Sequence, residues 1–131
     1  MNGAHEKGKQ VVLIADSSST VRKFASFSLS AQNLEVITVV DGMDALEKIS
    51  TARQVDLVIV DLNMPNMDGY EFIQHLRGSD HHKDVPIIIL SSERSDESKK
   101  RGKEVGADVY IEKPFDANKI KYQASKYLAL K

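Results

Sequence analysis

The chain has 131 residues, no cysteine, and 18 Lys and Arg against 19 Asp and Glu for a formal net charge of −1. That length fits one domain with a full core, since a fold of this size buries about two-thirds of the surface its unfolded chain exposes. The composition excludes disulfides and thiolate metal sites, gives no overall electrostatic case for nucleic acid or a polybasic membrane contact, and contains no apolar stretch of the roughly 20 residues a membrane span needs.

Residues 1–9 are polar, lack the apolar segment of a signal peptide, and read as a flexible tail ahead of a single domain over 10–131. A soluble cytoplasmic protein is the default expectation. The first apolar run, residues 11–15 (VVLIA), ends at Asp16, after which Ser18 or Ser19 can cap a helix carrying Val21, Phe24, Ala25 and Leu29. The second, residues 34–40 (LEVITVV), is interrupted by polar residues, and Asp41 with Gly42 opens a helix bearing Ala45, Leu46 and Ile49. The third, residues 55–60 (VDLVIV), runs straight into Asp61; Asp68, read as an N-cap without chemistry, opens a helix with Phe72, Ile73 and Leu76. Met64, Pro65 and Met67 shape and pack the intervening loop.

The fourth run, residues 86–90 (PIIIL), leads into Ser91 and Ser92. The helix expected over 95–105 has almost no apolar face, and interior Gly102 costs about 1 kcal/mol relative to Ala, so this helix is expected to be marginal and weakly docked. The fifth run, residues 109–111, leads through Glu112 to Lys113, Pro114 and Phe115; Asp116 then opens a helix with Ile120, Ala124, Tyr127 and Leu128. His5, His75, His81 and His82 read as surface residues.

Strands alternating with helical segments are the pattern of a parallel sheet with crossover helices. Runs one, three and four are nearly continuous and suit burial on both faces, whereas runs two and five suit the edges. The expected architecture is an α/β, flavodoxin-like doubly wound sheet of five strands in the order 2-1-3-4-5, with five helices.

In such a sheet, ligands gather beyond the carboxyl ends of the strands, where the connection direction switches. Asp16 and Asp61 should meet there across strands one and three. A carboxylate costs several kcal/mol to desolvate unless something pairs with it, so two at one rim call for a cation. Oxygen ligands alone favour Mg²⁺, which takes one or two carboxylates and keeps several waters. Ser91 adds a hydroxyl and Lys113 an ammonium from neighbouring strand ends.

The segments ADSSST (15–20), VDLNMPNMDG (60–69), ILSSE (89–93) and YIEKPF (110–115) together resemble the bacterial two-component response-regulator receiver domains. The resemblance spans residues 11–116, and four motifs in order carry it, single pieces such as KPF being weak. It implies a phosphoacceptor at Asp61, taking a phosphoryl group from a histidine kinase, a phosphotransfer protein or a small acyl phosphate, and catalysis limited to the domain's own phosphorylation and dephosphorylation. Ser91 would bind a phosphoryl oxygen. Lys113 and a Mg²⁺ held by Asp16, Asp61 and the backbone carbonyl of Asn63 would neutralise charge. Lys113–Pro114 is expected to be a cis peptide.

One departure stands out. Receivers carry two adjacent acids after the first strand, and here the pair reads Asp16-Ser17, so a direct metal ligand is replaced by a hydroxyl and Mg²⁺ affinity should fall. A receiver that signals by binding alone, without phosphorylation, is the competing reading. Asn63 and Glu93 occupy the positions flanking the attacking water and resemble those of CheY-like chemotaxis regulators, which points to a short-lived phosphoryl group and a motility role. Output is expected through the face of the fourth helix, fifth strand and fifth helix, with Ser91 and Tyr110 moving together. Lys99, Lys100, Arg101, Lys103, Lys119, Lys121 and Lys126 would make that face basic and suited to an acidic or amphipathic protein segment. No nucleic-acid or membrane partner is expected, and the protein should be a monomer or weak dimer.

Two other classes compete with this reading. An FMN-binding electron carrier would use residues 17–20 to cradle a phosphate, against which stand Asp16 and the absence of Trp for ring stacking. An aspartyl phosphatase of the haloacid dehalogenase type expects a second acid where Asn63 stands.

Overall fold

The computed structural model describes residues 9–30, 33–51 and 54–128, so all but the last residue of the expected tail lies outside it. Strands β1 (Gln10–Ala15), β2 (Leu34–Val39), β3 (Leu57–Asp61), β4 (Ile87–Ser91) and β5 (Val109–Glu112) pair in parallel in the order β2-β1-β3-β4-β5. Sequence pattern and position agree: β3 and β4 are buried at every residue and β1 at all but Gln10, whereas the edge strands β2 and β5 are mostly half-buried. The strand order expected from the sequence is the one found.

The helices are α1 (Ser19–Leu29), α2 (Gly42–Thr51), α3 (Gly69–Arg77), α4 (Asp96–Val105) and α5 (Ala117–Ser125). Side-chain oxygens of Ser18, Asp68, Ser95 and Asp116 accept the N–H of Val21, Glu71, Ser98 and Lys119, and Asp41 accepts that of Asp44. Each such cap is worth about 1 kcal/mol. One face of the sheet packs Val11, Leu13, Val58 and Ile87 with Phe72 and Ile73 of α3. The other packs Val12, Ile14, Ile59 and Ile88 with helices α1 and α5 through Ala25, Leu29, Ile120 and Ala124. Two acids tie strand starts together: Asp56 accepts the N–H of Val11 and Asp108 that of Ile87, each at 2.8 Å.

Three expectations need correction. Gly102, read as a weak point of α4, is the helix's one buried residue; a Cβ there would lie 2.9 Å from Ile89 Cδ1 and 3.4 Å from the Tyr110 ring. Its bare backbone lets a polar helix approach the sheet that a side chain would hold off. His82, read as a surface residue, is 8% exposed. Phe24, assigned to the buried face of α1, is 38% exposed and packs its ring against Phe115 at 5.5 Å between centroids.

Candidate functional site

Asp16 and Asp61 stand side by side because β1 and β3 pair with Ala15 opposite Val60, one residue before each acid. Both are buried, at 1% and 6% exposure. The turn after β5 brings Lys113 to them, its Nζ 2.9 Å from Asp16 Oδ2 and 3.4 Å from Asp61 Oδ1. The Lys113 backbone is fixed as well: its N–H donates to the Ser91 carbonyl at 2.7 Å, and its carbonyl accepts from Arg94 at 2.9 Å. The Lys113–Pro114 peptide is cis, as the sequence resemblance implies.

The two acids differ in surroundings. Asp16 Oδ1 accepts the N–H of Ser18 at 2.9 Å, leaving Oδ2 to Lys113, while the Asp16 carbonyl accepts from Arg22 at 2.7 Å. Asp61 has its pKa raised, first by burial and then by the neighbouring Asp16 charge; Lys113 and the Asn63 backbone N–H pull it back only in part. A carboxylate held that way is more basic than usual, which suits a nucleophile.

Ser91 is fully buried at the end of β4, and its Oγ accepts the Glu93 N–H at 3.0 Å. Tyr110 lies next to this segment, its hydroxyl donating to the Glu93 carbonyl at 2.8 Å. Burial raises the Tyr110 pKa, and the Ser91 side chain pulls it partway back. Asn63, Glu93 and Ser17 are exposed at the rim. Of the basic residues expected on the outer face, Lys99 is paired with Glu112, and the Arg101 guanidinium lies over the Tyr70 ring at 4.0 Å, whose hydroxyl donates to Ser98 O.

Two adjacent carboxylates fit a Mg²⁺ that keeps most of its water, with Asp16 and Asp61 as its protein ligands. Among the described residues, no group of three His, Cys, Asp or Glu side chains is placed to hold a metal. Lys113 already supplies a positive charge to the same two acids.

Sequence reasoning did not find Arg22 or Gly69. Arg22 holds the Asp16 backbone from the first turn of α1. Gly69, first residue of α3, backs Asp61: a Cβ there would lie 2.3 Å from the Asp61 carbonyl oxygen. Only the DG dipeptide hinted at Gly69, and it equally signals a plain helix start.

The chain matches the response regulator receiver domain model over residues 12–125. It is 36% identical over 109 residues to protein PilG of Pseudomonas aeruginosa, covering 83% of this chain and 80% of PilG. It is 38% identical over 104 residues to the transcriptional regulatory protein PrrA of Mycobacterium tuberculosis, covering 79% of this chain but only 43% of that one, so it spans under half the length of such regulators. Among solved structures, the chemotaxis response regulator CheY4 of Vibrio cholerae aligns with a TM-score of 0.85 at 38% identity, over 92% of this chain and 99% of CheY4.

Proposed function

Since this chain belongs to the response regulator receiver domain family, signalling modules of two-component systems, we propose that Asp61 is its phosphoacceptor. The donor is a histidine kinase or phosphotransfer protein, or a small acyl phosphate. The observation that carries the reading is Lys113 bridging two buried carboxylates, one of them made more basic by its surroundings.

An Asp61 carboxylate oxygen attacks phosphorus, the bond from phosphorus to the donor nitrogen or oxygen breaks, and the donor keeps the electron pair. Lys113 neutralises charge on the transferring group, and the Ser91 hydroxyl, already positioned by the Glu93 N–H, donates to a phosphoryl oxygen. Asp16, Asp61 and the Asn63 carbonyl would hold Mg²⁺, which supplies further charge neutralisation when bound. Ser17, in place of an acid, makes that binding weak. Asn63 and Glu93 flank the water that later hydrolyses the acyl phosphate and set its lifetime. The domain turns over no separate substrate.

The signal leaves through the α4-β5-α5 face. Ser91 engaging a phosphoryl oxygen draws on the Glu93 segment to which Tyr110 is bonded, so the ring and α4 shift together. A cytoplasmic protein target with an acidic or amphipathic segment is the occupant, and the likeness to the chemotaxis response regulator CheY4 supports a chemotaxis or motility role. The module spans residues 10–131 and acts as a monomer or weak dimer. No helix among the described residues is long and apolar enough to cross a membrane.

A second reading is favoured by the thin donor set: a receiver that works by binding alone, with Lys113 permanently occupying the place of a metal. The flavin alternative is weakened because Ser18 N–H, one of the amides a phosphate would need, is committed to Asp16. Intact mass after incubation with acetyl phosphate and Mg²⁺ decides between the first two. One added phosphoryl group in the wild type and none in Asp61→Asn supports phosphoacceptance; no addition to a folded wild type favours binding alone.

A further inference from the structure

Beside Asp61, where the start of α1 meets the turn after β5, runs an open groove of about 360 Å³. Its walls are apolar, with Val21 and Phe24 of α1 on one side and Pro114 and Phe115 on the other. Its polar groups are Thr20, Ser92 and Lys113. Two of these join it to the site: the Lys113 ammonium stands 3.4 Å from Asp61 Oδ1, and Ser92 directly follows Ser91.

We propose that this groove receives the acyl portion of a small-molecule phosphodonor, so that Asp61, taken as the phosphoacceptor, draws preferentially on acyl phosphates whose acyl group is an uncharged aromatic. With benzoyl phosphate, an Asp61 oxygen bonds to phosphorus, the bond from phosphorus to the benzoate oxygen breaks, and benzoate leaves with the electron pair. The attacking and leaving oxygens stand roughly in line, so the acyl group points away from Asp61 while the phosphoryl group is held at Lys113 and Ser91. The groove that Lys113 and Ser92 border is the apolar surface it meets there, and the Thr20 and Ser92 hydroxyls can donate to its carbonyl oxygen.

Three observations carry the assignment. Phe24 is 38% exposed at a rim otherwise built of carboxylates, an amine and hydroxyls, and apolar surface bordered by polar groups marks a binding site. The walls are preformed: the Phe24 and Phe115 rings pack at 5.5 Å between centroids, and the turn carrying Phe115 is pinned through Lys113, whose N–H donates to Ser91 O at 2.7 Å and whose carbonyl accepts from Arg94 at 2.9 Å. The charge and size fit one ring with one anionic end. Among the described lining residues Lys113 alone is charged, and Asp116, next to Phe115, is committed to the Lys119 N–H at 2.8 Å. A charged acyl group would be set against Phe24 and Phe115 without a partner. The volume lies at the lower end of small-molecule sites, roughly 300–1,000 Å³.

The test is the time course of intact mass for the full chain with Mg²⁺ and either benzoyl phosphate or acetyl phosphate at equal concentration. Benzoate and acetate are similar leaving groups, so a large difference in rate reports contacts with the acyl group. The wild type should label about tenfold faster from benzoyl phosphate, and Phe24→Ala should cut that ratio about fivefold. In the wild type, benzylphosphonate should slow labelling by acetyl phosphate at about fivefold lower concentration than methylphosphonate, a comparison that stands even if Phe24→Ala fails to fold. Equal rates from the two donors, a ratio that Phe24→Ala leaves unchanged, or no difference between the phosphonates would overturn the role of the groove and leave Asp61 as acceptor. Labelling from neither donor in a folded protein would overturn phosphoacceptance at Asp61 and the donor preference with it.

Discussion

Replacing Lys113 by Met keeps the length and apolar stem of the side chain while removing the ammonium that spans 2.9 Å to Asp16 and 3.4 Å to Asp61. At an effective dielectric near 20, each contact carries a gross attraction of about 5 kcal/mol. Desolvation of the ammonium cancels much of that, but removing one partner from a buried ion cluster strands the rest, at a cost of about 3–5 kcal/mol. Protonation of Asp61 limits the loss. Its pKa is already raised by burial and by Asp16, and it rises further once Lys113 is gone. Between the ordinary carboxylate value and the raised one, the native state binds more protons than the unfolded chain, so the variant's stability falls as pH rises through that window. The expected loss relative to wild type is about 3 kcal/mol near pH 8, shrinking to about 1 kcal/mol near pH 5. Urea unfolding at both pH values measures it. A loss equal at the two pH values, or below about 0.5 kcal/mol at the higher one, would refute the placement of a cation between two ionised acids.

Asp61→Asn should raise stability at neutral pH, because the ionised group is the form its raised pKa disfavours; the gain should fade on acidification, and denaturation across pH would expose a constant gain or a loss. Ser17→Asp should tighten Mg²⁺ about tenfold by calorimetry, less than the roughly 4 kcal/mol of a bare unit charge at about 4 Å because the position is exposed; unchanged affinity would place residue 17 away from the metal. Gly69→Ala should cost about 3 kcal/mol in thermal or urea unfolding, since its Cβ would meet the Asp61 carbonyl oxygen at 2.3 Å and backbone cannot rotate away; wild-type stability would show that α3 does not start against the acceptor.

Much of the site was legible because a parallel sheet turns sequence into position. The last residue of each strand lands on the same rim, so Asp16, Asp61, Ser91 and Lys113 follow from where apolar runs stop. The edge strands revealed themselves by interruption, as β2 and β5 bear out. What stayed hidden depends on how closely elements approach. Gly102 looked like a defect in α4 until Ile89 and Tyr110 were found against it, and Gly69 looked like a turn residue until the Asp61 carbonyl was found behind it. His82 carries no sequence sign of burial, since it sits in a loop whose fold is set by Arg77 reaching back from α3. The surroundings of the basic side chains were hidden for a related reason: sequence counts charges but does not show that Glu112 pairs with Lys99, or that Arg101 lies flat on Tyr70.

The central claim is that Asp61, and not its neighbour Asp16, takes the phosphoryl group. Borohydride reduction of protein treated with acetyl phosphate and Mg²⁺, followed by peptide mapping, reads this directly, because an aspartyl phosphate is reduced to homoserine while a free carboxylate is untouched. Homoserine at position 61 alone is the predicted result. Homoserine at position 16, or at neither position in a folded protein, would contradict it.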